Sequence, residues 1–280
     1  MKLIECPRDA MQGLSHFVPT DLKIRYLNAL LRVGFDTLDF GSFVSPKAIP
    51  QLRDTAEVLT GLNVFQTETK LLAIVANVRG AEEAITFPAI GYVGFPLSVS
   101  ETFQQRNTNK SVAQAFGEVE TIQNRCTQAN KELVVYLSMG FGNPYGDPYS
   151  PELVGEFTDR LVQMGVRVIA PSDTVGSSTP EAIETLFRHL ISLFPQVEFG
   201  AHLHTRPGEA AAQVRAAVRA GVRRIDGALR GFGGCPMAAD DLTGNLPTEE
   251  IIQTLALEGI ASSINQKAFQ EAMTLSVGVF

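Results

Sequence analysis

The chain has 280 residues, 45% of them hydrophobic, which is enough to bury one sizeable core, and 23 Lys and Arg against 30 Asp and Glu leave a net charge of −7. That balance argues against nucleic acid or an anionic membrane as the main partner, so an anionic ligand must meet a local positive site. No run approaches the roughly eighteen apolar residues of a membrane span, and the start, MKLIECPRDAMQG, is charged too early for a secretory leader.

In chain order, KLIE reads as a first strand. PTDLKIRYLNALLRVGFDTLDFG then carries Leu22, Ile24, Leu27, Leu30 and Leu31 at near-helical spacing behind a cap-like Thr20, stops at Gly34 and turns into the strand DTLDF. The same order recurs, with helices predicted near 47–59, 79–86, 109–129, 151–164, 179–193, 208–220 and 247–258. Between them fall KLLAIV, IGYVGFPL, ELVVYLSM, RVIAP, VEFGAHLH and RRIDGAL, making eight strand candidates. Strands alternating with helices predict a parallel sheet covered on both faces, and eight of them in this length predict a TIM (β/α)8 barrel. A doubly wound dinucleotide fold would need a glycine-rich turn after the first strand, where CPRDAMQG stands instead. No linker or low-complexity block interrupts the chain, so residues 1–280 read as a single domain. Cys6, Cys126 and Cys235 are an odd number without an export signal, which predicts free thiols and a soluble cytoplasmic protein.

Barrel chemistry sits at the C-terminal ends of the strands, and polar residues wait there. Arg8 and Asp9 follow strand one, Asp39 and GSFVSPK strand two, SETFQQRNTNK strand four, PSDTVG strand six, and GFGGCP with TGN strand eight. Strand seven ends in His202 and His204, two of only four histidines in the chain. Side chains at i and i+2 of a strand share a face, so both imidazoles can meet one ion. A strand histidine by itself is more often a hydrogen-bonded structural residue. Barrel closure makes strands seven, eight and one neighbours, however, so Asp9 and Asn245 converge on the pair. A nitrogen and oxygen set without sulfur suits Mg²⁺ or Mn²⁺ with open positions for substrate; zinc is the alternative, with Cys235 as a fourth ligand. Competing structural readings exist for the other residues. Asp173 and Thr174 can cap the next helix, Arg8 can pair with Asp9 or Asp39, and Arg106 and Lys110 can be solvated surface instead of phosphate contacts.

These motifs resemble the 3-hydroxy-3-methylglutaryl-CoA lyases, within the larger group of TIM-barrel metal-dependent lyases and Claisen-type synthases, over nearly the whole chain. PRDAMQ at 7–12 is similar to the family's PRDGLQ, SFVSPKAIPQ at 42–51 to SFVSPKWVPQ, SDTVG at 172–176 to GDTIG, and HLH at 202–204 to HCH. GFGGCP and GNLPTE match GLGGCP and GNLATE, and this glycine-rich loop points most specifically to the lyase branch. The resemblance implies that Asp9, His202, His204 and Asn245 bind the divalent cation. It implies further that Arg8 contacts the substrate carbonyl, that Cys235 acts as an acid from a flexible loop, that His202 takes a proton, and that Asp173 orients Arg8 or a histidine. Gln12, Asp39, Ser42 and Arg106 are then expected beside Arg8 at the substrate, an acyl-CoA cleaved to acetyl-CoA and acetoacetate, and a homodimer is the expected assembly. Departures from the pattern are Ala10 for glycine, Asp39 for glutamate, and Thr205, Arg206 and Pro207 where the family has Asp, Thr and Tyr. An arginine beside the metal would favour a more anionic substrate. The alternatives are a lyase or condensing enzyme for another 3-hydroxyacyl-CoA or 2-oxo acid aldol, and a barrel that binds without catalysing.

Overall fold

A computed structural model describes residues 1–234 and 243–280; Cys235 lies outside the described residues. In chain order the elements are β1 (Lys2–Glu5), α1 (Pro7–Gln12), α2 (Thr20–Leu31), β2 (Thr37–Ser42), α3 (Thr55–Thr60), β3 (Lys70–Ile74), α4 (Val78–Ala84) and β4 (Ile90–Ser98). There follow α5 (Glu101–Thr108), α6 (Val112–Gln128), β5 (Glu132–Ser138), α7 (Pro151–Gln163), β6 (Val168–Asp173), α8 (Pro180–Leu193) and β7 (Glu198–Thr205). The last elements are α9 (Ala210–Arg219), β8 (Arg224–Gly227), β9 (Gly244–Asn245), α10 (Thr248–Leu257) and α11 (Gln266–Ser276). Strands β1 to β8 are parallel neighbours in sequence order, β1 pairs β8 and β6 pairs β7, so the sheet closes into the expected TIM barrel. Short β9 lies antiparallel on β7 and sets Asn245 opposite His204.

Alternation divides the apolar residues into two cores. Outward-facing Leu3, Leu38, Phe40, Val93, Leu133 and Ile169 pack under the helices, whereas Leu72, Ile74, Tyr92, Val134, Tyr136 and Val168 fill the barrel itself. Among the described residues no helix is long and apolar enough to cross a membrane.

The helices depart from expectation where proline and caps intervene. PRDAMQ, where no helix was predicted, is helix α1, entered with Pro7 at its first turn, where a missing N–H costs nothing. The segment 47–59 is a 3-10 turn at Pro50–Leu52 followed by the short α3. The helix expected over 109–129 begins later, because Asn109 adopts φ +56° to end α5 and Ser111 forms a capping box with Gln114 to start α6. Helix α11 and strand β9 were not anticipated.

Glu5, fully buried at the end of β1, ties the barrel to its last connection by accepting from Leu229 N–H at 2.8 Å and Thr248 Oγ1–H at 2.6 Å. Burial, partly offset by those two donors, pushes its carboxyl up to about 8. Because the folded value exceeds the unfolded one, the stability this group contributes is fully present below the ordinary carboxylate range and is lost as pH rises toward 8. Glu5→Gln, which keeps the shape, is therefore expected to gain on the wild type in thermal melts between pH 5 and 8, and parallel melting curves across that range would refute it.

Candidate active site

The turn from β1 into α1 delivers Asp9 to the C-terminal mouth of the barrel, and β7 delivers His202 and His204 from the adjoining wall. One ligand atom from each of the three lies within 4.8 Å of the other two, and all three residues are buried. The histidines are oriented from behind. His204 Nδ1 stands 3.1 Å from the Thr174 carbonyl oxygen, which can only accept, so the ring proton sits on Nδ1 and Nε2 is left with a free lone pair. That Nε2 is buried without a hydrogen-bond partner among the described residues. His202 Nδ1 stands 3.2 Å from Asp226 Oδ2 on β8, the second-layer arrangement that turns Nε2 forward. An orphaned imidazole nitrogen beside a second imidazole and a carboxylate fits a divalent cation.

The electrostatics agree. Burial and the neighbouring His202 charge hold His204 below the ordinary histidine range, which favours a neutral ligand. Burial alone would lower His202, but the hydrogen bond and charge of Asp226, with Asp9, raise it. Burial likewise opposes Asp9 ionisation, yet Arg8 and the two histidines bring its carboxyl below the usual value.

Arg8 is fixed at three corners. Its Nε and Nη2 donate to Asp39 Oδ2 at 2.9 and 2.5 Å, while Nη1 donates to Asp9 Oδ1 and Gln12 Oε1, both at 2.9 Å. Gln12 Nε2 donates to Asp9 Oδ1 at 2.8 Å, and Asn245 Nδ2 to Asp9 Oδ2 at 2.7 Å and to the Phe232 carbonyl at 2.9 Å. Asn245, expected to bind the cation, reaches the Asp9 carboxylate with its amide nitrogen and lines the neighbouring groove.

A cavity of about 310 Å³ opens over these groups. Its floor is polar, with Arg8, Asp9, His202 and His204, and its sides include Val44, Ile74, Pro96 and Phe103. Tyr136, which the sequence reading passed over, also lines it and meets the His202 ring edge-on at 5.4 Å between centroids.

Several expected residues stand elsewhere. Asp39 is fully buried behind Arg8 and does not line the cavity; it holds the guanidinium and does not contact substrate space. Ser42 turns to a neighbouring hollow, where its Oγ accepts from Val44 N–H. Arg106 is exposed and lies 4.7 Å over the Tyr145 ring; Asn107 and Thr108 reach the cavity in its place. Asp173, expected to orient Arg8 or a histidine, accepts from the backbone N–H groups of Ser177 and Ser178 and so braces the turn after β6. Arg206 is not beside Asp9, His202 and His204. With His202 and His204 inward, Thr205 must point outward, and Thr205 and exposed Arg206 line a separate groove with Phe232 and Pro207. Thr205 and Arg206 therefore add no group to the cavity lining.

Fold and site together define a TIM barrel with a candidate metal centre at the C-terminal ends of its strands. The profile of the HMGL-like family matches residues 3–275, and the chain belongs to that family. It is 32% identical over 273 residues to the cytoplasmic 3-hydroxy-3-methylglutaryl-CoA lyase of Rattus norvegicus, covering 97% of this chain and 79% of that one. To the hydroxymethylglutaryl-CoA lyase YngG of Bacillus subtilis (strain 168) it is 33% identical over 258 residues, with 92% and 85% covered. Among solved structures, an HMG-CoA lyase from Acenitobacter baumannii in complex with coenzyme A and 3-methylmalate superposes with a TM-score of 0.91 at 31% identity, covering 99% of this chain and 90% of that one.

Proposed function

We propose that this protein is a divalent-cation-dependent carbon–carbon lyase that cleaves 3-hydroxy-3-methylglutaryl-CoA into acetyl-CoA and acetoacetate. The observation that carries the reading is the Asp9, His202 and His204 set with Arg8 locked beside it on the cavity floor, in a chain whose relatives bear that activity in their names. In the reaction the C2–C3 bond breaks, its electron pair passes to the thioester as an enolate, the 3-hydroxyl becomes the ketone of acetoacetate, and C2 regains a proton. A cation held by Asp9, His202 and His204, either Mg²⁺ or Mn²⁺, supplies Lewis acidity toward the substrate oxygens.

This chain's residues do the rest. Arg8 sets a guanidinium where the enolate oxygen gathers charge, and its contacts to Asp39, Asp9 and Gln12 fix it before substrate arrives, so little reorganisation is needed as the bond breaks. With its Nε2 on the cation and its Nδ1 on Asp226, His202 has no lone pair left for the hydroxyl proton, which passes instead to the Asp9 carboxylate on the cavity floor. Asn245 and Gln12 hold the Asp9 carboxylate in register with Arg8 and His202. Cys235 as the acid for C2 rests on the family resemblance, since it lies outside the described residues.

Stripping divalent cations with a chelator and adding back Mg²⁺ or Mn²⁺ tests the reading. Turnover of the thioester is expected to vanish and return with the cation, and turnover that persists in chelator would overturn it.

A further inference from the structure

Below the cation cradle the barrel axis carries a charged group that the proposed chemistry does not use. Arg224 on β8 points inward and is 0% exposed. Room for so long a side chain comes from Gly200 on β7, where a Cβ would lie 3.1 Å from Arg224 Cδ and 3.4 Å from its Cγ. The guanidinium stands between two carboxylates, with Nη1 3.7 Å from Glu198 Oε1 and Nε 3.9 Å from Asp226 Oδ1, and lies 5.6 Å over the Tyr92 ring. Those gaps are ion-pair distances beyond hydrogen-bond reach. None of its three nitrogens has an acceptor among the described residues, and Asp226 Oδ1 and Glu198 Oε1 have no donor.

Filling the barrel core does not by itself call for a guanidinium, since an apolar side chain of similar volume can occupy such a site. Its effect must be sought in what it adjoins. The other oxygen of the Asp226 carboxylate faces His202 Nδ1 at 3.2 Å. On the far side, Glu198 is anchored by Lys2 Nζ at 2.6 Å, so a file of alternating charge, Lys2, Glu198, Arg224 and Asp226, runs from the lower rim and ends against the His202 ring.

We propose that Arg224 is a positioning residue of the cation centre, compensating the Asp226 carboxylate so that it stays turned to His202 and keeps Nε2 of that ring aimed into the cavity. The inference rests on the reading of Asp9, His202 and His204 as the cradle. Arg224 itself touches neither cation nor substrate. Without it the carboxylate is uncompensated and turns toward other donors, releasing the ring.

The sign of the effect separates this role from a plain electrostatic one. A guanidinium acting only as a positive charge opposes a cation, so its removal would tighten binding. A positioning guanidinium has the opposite consequence. Mn²⁺ affinity of cation-stripped protein, measured by calorimetry at one pH, is expected to fall about tenfold or more in Arg224→Met, as for other residues behind a metal ligand. Arg224→Lys should recover most of the loss. Gly200→Ala, which crowds the arginine and leaves its charge, should give an intermediate loss and carries the test if the Met variant does not fold. Unchanged or tighter Mn²⁺ binding in folded Arg224→Met, or unchanged binding in Gly200→Ala, would overturn the proposal. A wild type that binds no Mn²⁺ would remove the cradle reading itself, and this inference with it.

Discussion

His204→Ala is expected to abolish measurable Mn²⁺ binding and to lower turnover by about 10³-fold or more, since losing several kcal/mol of cation-derived stabilisation costs a decade for about every 1.4 kcal/mol. The His204 ring is held by the Thr174 carbonyl at Nδ1 and has no partner at Nε2, so its forward nitrogen does no structural work among the described residues. The fold should therefore survive. A cooperative melt, lowered only by the lost ring and its Thr174 bond, with calorimetry showing no Mn²⁺ uptake, separates loss of the ligand from loss of the barrel. Undiminished Mn²⁺ affinity would place the cation elsewhere.

Arg8→Lys is the second large effect. Lysine keeps the charge but cannot reproduce a planar fork that reaches Asp39 with two nitrogens and Asp9 and Gln12 with the third. A mobile ammonium leaves the enolate oxygen without a preset donor, and kcat is expected to fall by about 10²- to 10³-fold with a smaller change in KM. The split matters. A rise in KM at constant kcat would make Arg8 a ground-state anchor for substrate and remove it from the bond-breaking step.

The barrel was readable because its signals are local and repeated. Eight apolar runs alternating with capped helices admit few architectures, and the His-x-His spacing at the end of β7 fixes two rings on one face by the period of a strand. Asp9 and Asn245 needed only closure of the barrel to join them. What the sequence hid depends on long-range partners. The Thr174 carbonyl that orients His204 is backbone, and no residue type announces it. Asp226 and Arg224 share the inward face of RRIDG by the same period of two, yet which histidine and which glycine they meet is decided by the neighbouring strand.

Misplaced residues teach the same lesson. Asp39 stands at a strand end as expected, but Arg8 lies between it and the cavity, so proximity in the motif did not become contact with substrate space. Arg206, two residues from His204, is turned away by strand alternation and the turn that follows. Helix α1 was missed because six residues offer no period to read, although Pro7 at its first turn was a usable start signal.

The most direct measurement is the product balance of the Mn²⁺-loaded protein with 3-hydroxy-3-methylglutaryl-CoA. Equimolar acetyl-CoA and acetoacetate, formed as the thioester disappears and absent in the His204→Ala variant, is the predicted result. Intact thioester after prolonged incubation with folded, Mn²⁺-bound protein would contradict the assignment and redirect the same site to a different 3-hydroxyacyl substrate.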